Sequence, residues 1–295
     1  DDEFFFAEPF YQTGGVIDNA IDAATAAGVT YFTAAGNVGA DYVEATFSPI
    51  SVTLPSGLSG ALETAMAHNF GVAGHPTPYE QLVIPGGDKV EIDLQWAQPF
   101  ASIGNGSGAA SNLALLLFRD DPSGPTLVAS GNHNVLGDDP FQFIQYTAPA
   151  DSTSAYEFAI IDDAGTTAGL FKVMVFDKED RAEILGADIG TGSGSVFGHA
   201  LDPNAIAVGA TPVFDPGQPE DYSSLGPGEL YFDSDGNPLA TPGSAGKPDI
   251  TAPDGSLTTV SDIGDFFGTS AATPAAAAVG ALMLQANPSL DPSDI

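Results

Sequence analysis

The chain has 295 residues, no cysteine, and 39 acidic against 6 basic side chains, a formal net charge of -33. Disulfides and thiolate metal sites are thereby excluded, and a surface of that sign repels nucleic acid and anionic membranes. The length suits roughly two domains of about 100 to 200 residues each, and 43% hydrophobic content with regular periodicity separates the acidity from disorder. No apolar run approaches the roughly 20 residues needed to span a bilayer. The abrupt ends, "DDEFFFAEPF" and "NPSLDPSDI", read as those of a segment cut from a longer protein. Such acidity is tolerable where salt screens self-repulsion, so a saline source is expected. The melting temperature should then rise between low and molar salt, and a flat response in a salt titration would refute this.

From Gly14 to Ala27, the apolar residues Val16, Ile17, Ala20, Ile21, Ala24 and Ala27 recur at helical spacing, and Gly28 supplies the stop. "VTYFTAAGN" follows, a β-branched and aromatic run that ends at Gly36 and Asn37. Helix, tight turn, apolar strand and glycine loop form the αβ unit of a parallel sheet. Ligand chemistry in such sheets sits at the carboxyl ends of strands, where Asn37 falls.

The middle of the chain has a different grammar. "KVEIDLQW" alternates strictly, with Val90, Ile92, Leu94 and Trp96 on one face and Lys89, Glu91, Asp93 and Gln95 on a face expected to be exposed. "SNLALLLF", "FQFIQY", "AYEFAII" and "GLFKVMVF" follow, separated by turn-rich stretches, with no convincing helix. The pattern predicts an antiparallel β-sandwich or jelly roll from about Pro49 to about Arg181. Its polar face carries no row of aromatics for stacking on sugars, which favours a structural or substrate-restricting role over carbohydrate binding. Beyond it, "NAIAVGAT" predicts a buried strand, "LYFDSDGNPLA" a hairpin around Asp235, Gly236 and Asn237, and "KPDITAPDG" an extended run. Asp233, Asp235 and Asn237 also echo a calcium loop, but the glycine comes after the second ligand position instead of the third.

The closing stretch "GDFFGTSAATPAAAAVGALMLQANPSL" predicts the last helix. Thr269 or Ser270 occupies its first turn, where free amides and the positive dipole end favour developing negative charge. Ser270 is either an ordinary N-cap or a nucleophile, and its neighbourhood alone leaves both readings open. Asn37, at the end of a strand, offers a side-chain amide to an oxyanion.

Together, "GTSAATP" followed by "GALMLQANPSL", "YFTAAGN" and "KPDITAPDG" resemble the subtilisin-like serine peptidases, the subtilases. "FGHALDPNAIAVGAT" and "YSSLGP" fit the same family's segments between oxyanion asparagine and nucleophile. The resemblance covers roughly 1–42 and 186–295. It implies an α/β fold: a doubly wound parallel sheet, incomplete in this chain, carried by 1–48 and 182–295 and interrupted by the sandwich at 49–181. By the same resemblance Ser270 matches the nucleophile, Asn37 the oxyanion side chain, and Ala34, Ala35 and Gly36 the stretch lining the pocket for the substrate side chain. The implied chemistry is attack of Ser270 on a protein or peptide carbonyl, an acyl-enzyme, and hydrolysis by water. An extracellular location and no required cofactor are implied as well; calcium is common in the family, and no position here identifies a site.

The departures from the family pattern are specific. Subtilases carry the catalytic aspartate in an Asp-Ser/Thr-Gly motif and the catalytic histidine in a His-Gly-Thr motif, both well before the oxyanion asparagine. The stretch before Asn37 contains no histidine, and His68, His75, His133 and His199 all lie outside the motif. Each reads as a surface or locally hydrogen-bonded histidine. Either the base and its carboxylate precede Asp1 in the natural protein, or the chain is a pseudopeptidase kept for binding or adhesion. The sedolisins, which pair serine with glutamate and aspartate, place an aspartate where Asn37 stands. Asp1, Asp2, Glu3 and Glu8 read as an acidic, frayed terminus.

Overall fold

The structure is a computed structural model that describes residues 1–2, 4–55, 62–151, 155–177, 181–186, 189–260 and 264–295. Glu3, one of the acidic residues at the start of the chain, lies outside them. Helices α1 (Val16–Ala26) and α2 (Thr269–Ala286) frame the chain. Between them, in order, are β1 (Tyr31–Ala34), β2 (Tyr42–Thr46), β3 (Pro49–Pro55), β4 (Leu62–His68), β5 (Glu80–Val83), β6 (Lys89–Trp96), β7 (Ser111–Asp121), β8 (Gly124–Gly131) and β9 (Phe141–Thr147). β10 (Ala155–Gly165), β11 (Leu170–Asp177), β12 (Glu183–Ile184), β13 (Ala205–Pro212), β14 (Glu229–Phe232), β15 (Pro238–Ser244), β16 (Ile250–Asp254), β17 (Ser256–Leu257) and β18 (Asp265–Phe266) complete the set. Two units result: 1–40 with 103–105 and 193–295, and 41–102 with 106–192.

The first unit is built on a parallel sheet in the order β1-β13-β16. Tyr31 to Ala34 pair with Ala205 to Val208, and Val208 to Pro212 pair with Ile250 to Asp254. Asp1 continues the sheet beyond β1: its backbone nitrogen donates to the Phe32 carbonyl at 2.9 Å, and its carbonyl accepts from Ala34 N–H at 3.1 Å, the pattern of a parallel bridge. The central strand is apolar because both of its faces are covered. On one side Val208 and Ala210 pack with Ala252, Ala272 and Ala276 beneath α2; on the other, Ala207 packs with Ala35, Val196, Ala200 and Leu201. Small residues let α2 lie close to the strands: a side chain at Gly280 would come within 3.0 Å of the Phe32 ring.

Helix α1 buries Ile21 and also Asp18, whose carboxylate accepts from the Gly14 backbone N–H. Burial raises the Asp18 pKa to about 6, opposed by that hydrogen bond and reinforced by the charges of Asp202 and Glu8. A carboxyl whose folded pKa exceeds its unfolded value holds its proton more tightly in the fold, so stability falls as pH rises from about 4 through 6. Glu157 in the second unit, raised to about 7 chiefly by burial, acts with the same sign. Asp18→Asn should therefore flatten, without abolishing, the decline of melting temperature between pH 4 and 6; an unchanged slope would show that Asp18 is solvated.

The second unit holds an antiparallel sheet in the order β2-β11-β6-β9. A seven-stranded sheet runs β12-β5-β10-β4-β3, with β7 paired to β10 and β8 paired to β7. Val43, Val90, Ile92, Leu94, Trp96, Phe171 and Val173 of the first sheet share one hydrophobic cluster with Leu82, Leu113, Leu115, Phe158 and Ile160 of the second. Leu54, Ala67, Leu116, Phe118 and Ala159 form a further cluster on the other face of the seven-stranded sheet. "SNLALLLF" is thus buried on both sides, the reason it reads as a continuous apolar run without alternation. The unit begins at Asp41, before the expected Pro49, because Tyr42 to Thr46 pair with Met174 to Leu170. It ends at Gly192, after the expected Arg181, because Glu183 and Ile184 pair with Val83 and Leu82 and Ile189 bridges Val43.

One expectation for β6 is overturned. Val90, Ile92, Leu94 and Trp96 do point into the core, but Asp93 and Gln95 on the supposedly exposed face are fully buried. Alternation assigns residues to a face and carries no information about what covers it. Burial, then the neighbouring Glu91 charge, holds the Asp93 carboxyl well above the usual range. On the same face Lys172 and Glu44 form a buried ion pair at 3.0 Å, with the Lys172 ammonium 5.6 Å from the centre of the Tyr42 ring.

The hairpin between β14 and β15 forms as expected. Its Asp233 carboxylate accepts from the backbone N–H groups of Asp235 and Asn237, at 3.0 and 2.8 Å, the role of a turn residue. Among the described residues no helix is long and apolar enough to cross a membrane.

Candidate active site

Asn37 and Ser270 are brought together by the parallel sheet. Asn37 lies just beyond the carboxyl end of β1, and α2 starts next to it with Gly268 as its N-cap. The Asn37 side-chain oxygen accepts from the Thr269 backbone N–H and from the Thr269 hydroxyl, both at 2.9 Å. Gly36 N–H donates to the same hydroxyl at 3.2 Å, and Thr273 Oγ1 donates to the Thr269 carbonyl at 2.8 Å. Thr269, in the first position of the helix, therefore ties the strand end to the helix start.

This arrangement separates Ser270 from the work of capping. Gly268 takes the N-cap position with φ 100° and ψ 167°, no side chain caps the helix, and the Gly268 carbonyl accepts from Ala271 and Ala272. A side chain at Gly268 would be strained at that φ and would come within 3.1 Å of Asn37 Nδ2, so glycine is required there. With Oδ1 engaged by Thr269, the Asn37 amide is held with Nδ2 close to Gly268, two residues before the half-buried Ser270. Its N–H and that of Ser270, which belongs to the unsatisfied first turn, are suited to an oxyanion.

Ala34, Ala35 and Gly36 run directly into Asn37. Gly36 sits against Ser224: a β-carbon there would lie 2.9 Å from Ser224 Oγ, and Ser224 N–H donates to the Gly36 carbonyl at 2.9 Å. Ala35 is buried and Ala34 is half-buried.

A cavity of about 500 Å³ opens at Ser270, lined by Thr273, Pro274, Ala277, Phe266, Tyr31 and Phe32 together with Asp1 and Asp2. Among the described residues no histidine lines it. His199, in the same unit, is 3% exposed and sits in a hydrogen-bonded chain: Glu8 Oε2 is 2.7 Å from Nδ1, and Nε2 is 2.9 Å from the Thr33 hydroxyl. That sequence of carboxylate, imidazole and hydroxyl resembles a catalytic triad, but Thr33 is fully buried and no substrate reaches it. Successive side chains of a strand point to opposite faces. Phe32 packs under α2, so Thr33 and His199 lie on the other face of the sheet from the Ser270 helix. Glu8 is accordingly not part of a frayed terminus. It also accepts from the His199 backbone N–H at 2.7 Å, contacts that pair residues 191 positions apart. In the second unit, His68 accepts from Ser48 N–H, while His75 and His133 are exposed.

Sequence reasoning passed over Asp254 and Tyr222. The Asp254 carboxylate, at the end of β16, accepts from Gly268 N–H at 2.8 Å and from the Tyr222 hydroxyl. The available signal was position: an acid at the carboxyl end of a parallel strand, in "TAPDG", where ligand-side chemistry collects.

A family model described as Subtilase family matches residues 10–295, a span that includes both Asn37 and Ser270. The chain belongs to the subtilase family. That family is one of serine peptidases. A comparison with curated proteins finds no match. Among solved structures, the CspB protease of Clostridium perfringens aligns with a TM-score of 0.46 and 16% identity over 92% of this chain and 51% of its own, so the subtilase chain spans about half that protein's length. The Yersinia pseudotuberculosis-derived mitogen aligns at TM-score 0.25 and 9% identity, over 50% of this chain and 92% of its own. A family 22 carbohydrate binding module of Clostridium thermocellum Xyn10B aligns at 0.24 and 12%, over 54% and 95%.

Proposed function

We propose that this subtilase is the Ser270-bearing part of a secreted serine endopeptidase. Ser270 Oγ gives its proton to the histidine base and attacks the scissile carbonyl, Asn37 Nδ2 and Ser270 N–H hold the oxyanion, the C–N bond breaks as that proton passes to the leaving amine, and water hydrolyses the acyl-enzyme. The reading rests on one observation above the others: Thr269 engages Asn37 Oδ1 twice, which orients the amide before any substrate arrives. Ala34, Ala35 and Gly36 are assigned, by their match to the family, to the pocket for the side chain preceding the scissile bond. The catalytic histidine and its aspartate come from residues preceding Asp1 in the natural protein, which accords with a Ser270 cavity lined, among the described residues, by no imidazole. The unit inserted after Asn37 is read as a β-sandwich domain with a structural or substrate-restricting role. No cofactor is required, and any calcium site remains to be located by metal titration.

The second reading, a pseudopeptidase that uses the fold for binding or adhesion, is favoured by that same lack of an imidazole at Ser270. The two are separated by labelling with a fluorophosphonate. The natural protein should be labelled on Ser270, and the 295-residue chain alone should not be. Labelling or peptide hydrolysis by the isolated chain, abolished by Ser270→Ala, would refute the upstream base. No labelling of the natural protein would sink the peptidase reading in favour of the second.

A further inference from the structure

We propose that Asp254 is a positioning residue for Ser270, acting through the backbone N–H of Gly268. The proposal rests on the reading of Ser270 as the nucleophile. Asn37 and Asp254 stand at the carboxyl ends of β1 and β16, the two strands that flank β13, and each accepts from one of two successive amides, Thr269 and Gly268. The turn into the nucleophile helix is thus held from both sides.

The Asp254 hydrogen bond is the one that acts on the least restrained residue. Gly268 has the widest choice of backbone conformations and here adopts one at positive φ, so its orientation depends on outside contacts. A carboxylate acceptor makes a shorter and stronger bond to an amide than a neutral acceptor does. The Tyr222 hydroxyl donates to the same Oδ2 atom, which pins the carboxylate in turn. Burial, and then the bond to Asp254, push the Tyr222 phenol above its usual range, so it stays a donor.

Stability does not account for the acid at this place. Asp254 is fully buried. Burial, then the Asp254 charge and a side-chain hydrogen bond to Asp254, raise the Glu220 carboxyl above the usual range. A buried carboxylate beside an acidic neighbour is worse for the fold than an amide of the same shape. What the carboxylate supplies is the angle at which Gly268, Thr269 and Ser270 leave the turn, and hence the aim of the Ser270 N–H and Oγ. Misplacement of reacting groups by about 1 Å is enough to lower a rate by about 100-fold.

The test uses Asp254→Asn, which keeps an acceptor, and Asp254→Ala, which does not, with Asp254→Leu in its place should the alanine variant fail to fold. In the natural protein containing this chain, the variants lacking an acceptor should lower kcat by roughly 10- to 100-fold with KM within about twofold, and Asp254→Asn should recover most of the loss. The Asn variant should melt no lower than the wild type. A second readout needs no turnover: the Gly268 amide proton should be shifted downfield and protected from exchange in the wild type and Asp254→Asn. In the Ala or Leu variant, where only the more distant Tyr222 oxygen at 3.4 Å is left to accept from it, both properties should weaken, and the Ser270 amide should move with it. Unchanged Gly268 and Ser270 amides, or a kcat in the Ala or Leu variant equal to the wild type, would overturn the proposal. An inactive wild type with the amide shifts as expected would fault the peptidase reading alone.

Discussion

Asn37→Ala is expected to lower the kcat of the natural protein by about 100- to 1,000-fold, roughly 3 to 4 kcal/mol of transition-state stabilisation, with a much smaller change in KM. The oxyanion forms only as Ser270 attacks, so a donor aimed at it acts on the transition state and little on bound substrate. The structure adds a second component. Asn37 also receives the N–H and hydroxyl of Thr269, at 2.9 Å each, and alanine would release the first residue of α2 as well as remove the donor. Asn37→Asp separates the two, because a carboxylate still accepts from Thr269 but offers the oxyanion no N–H and a repelling charge. Loss of kcat by both variants, with helix-start amides undisturbed in the aspartate variant, is the expected pattern. A reduction of less than about threefold in either would mean that the oxyanion is held elsewhere.

The second large effect concerns stability. Lys172→Met should destabilise the second unit by about 3 to 5 kcal/mol, because it takes the ammonium away from a buried carboxylate 3.0 Å distant. Methionine follows much of the lysine stem, so lost packing contributes little, and the Tyr42 ring loses only its cation. Lys172→Met combined with Glu44→Gln should recover most of the loss, since the unpaired charge is then gone. Urea unfolding of the single variants and the double variant closes the cycle. A single-variant loss below about 1 kcal/mol would place the pair with ordinary solvated surface bridges.

The αβ unit, the extended run at Ile250 and the last helix were legible because each rests on local signals. Helical spacing through Val16 and Ile21, a β-branched run ending in glycine, and an alanine-rich stretch after "GTS" are all short-range. So was the inward face of β6. The same signals failed at Asp93 and Gln95, since a period of two sorts side chains between faces and cannot say which face meets solvent. They failed again at Glu8, whose acidic surroundings read as a frayed end although its partner is His199, far along the chain.

The sequence by itself determined the chemistry on offer: an acidic chain without thiols, a serine in the first turn of an apolar helix, and an asparagine at a strand end. Ordered segments of a serine-peptidase family were legible too. Only the tertiary structure decided how these groups are used. It placed Thr269 against Asn37 across 232 positions and Asp254 beneath Gly268, and it engaged His199 with Glu8 and Thr33 on the far face of the sheet. The physical reason is the range of the interactions. Propensity, capping and periodicity act over a few residues, whereas the hydrogen bonds that free Ser270 from capping and aim the Asn37 amide exist only once β1, β13 and β16 have been laid side by side.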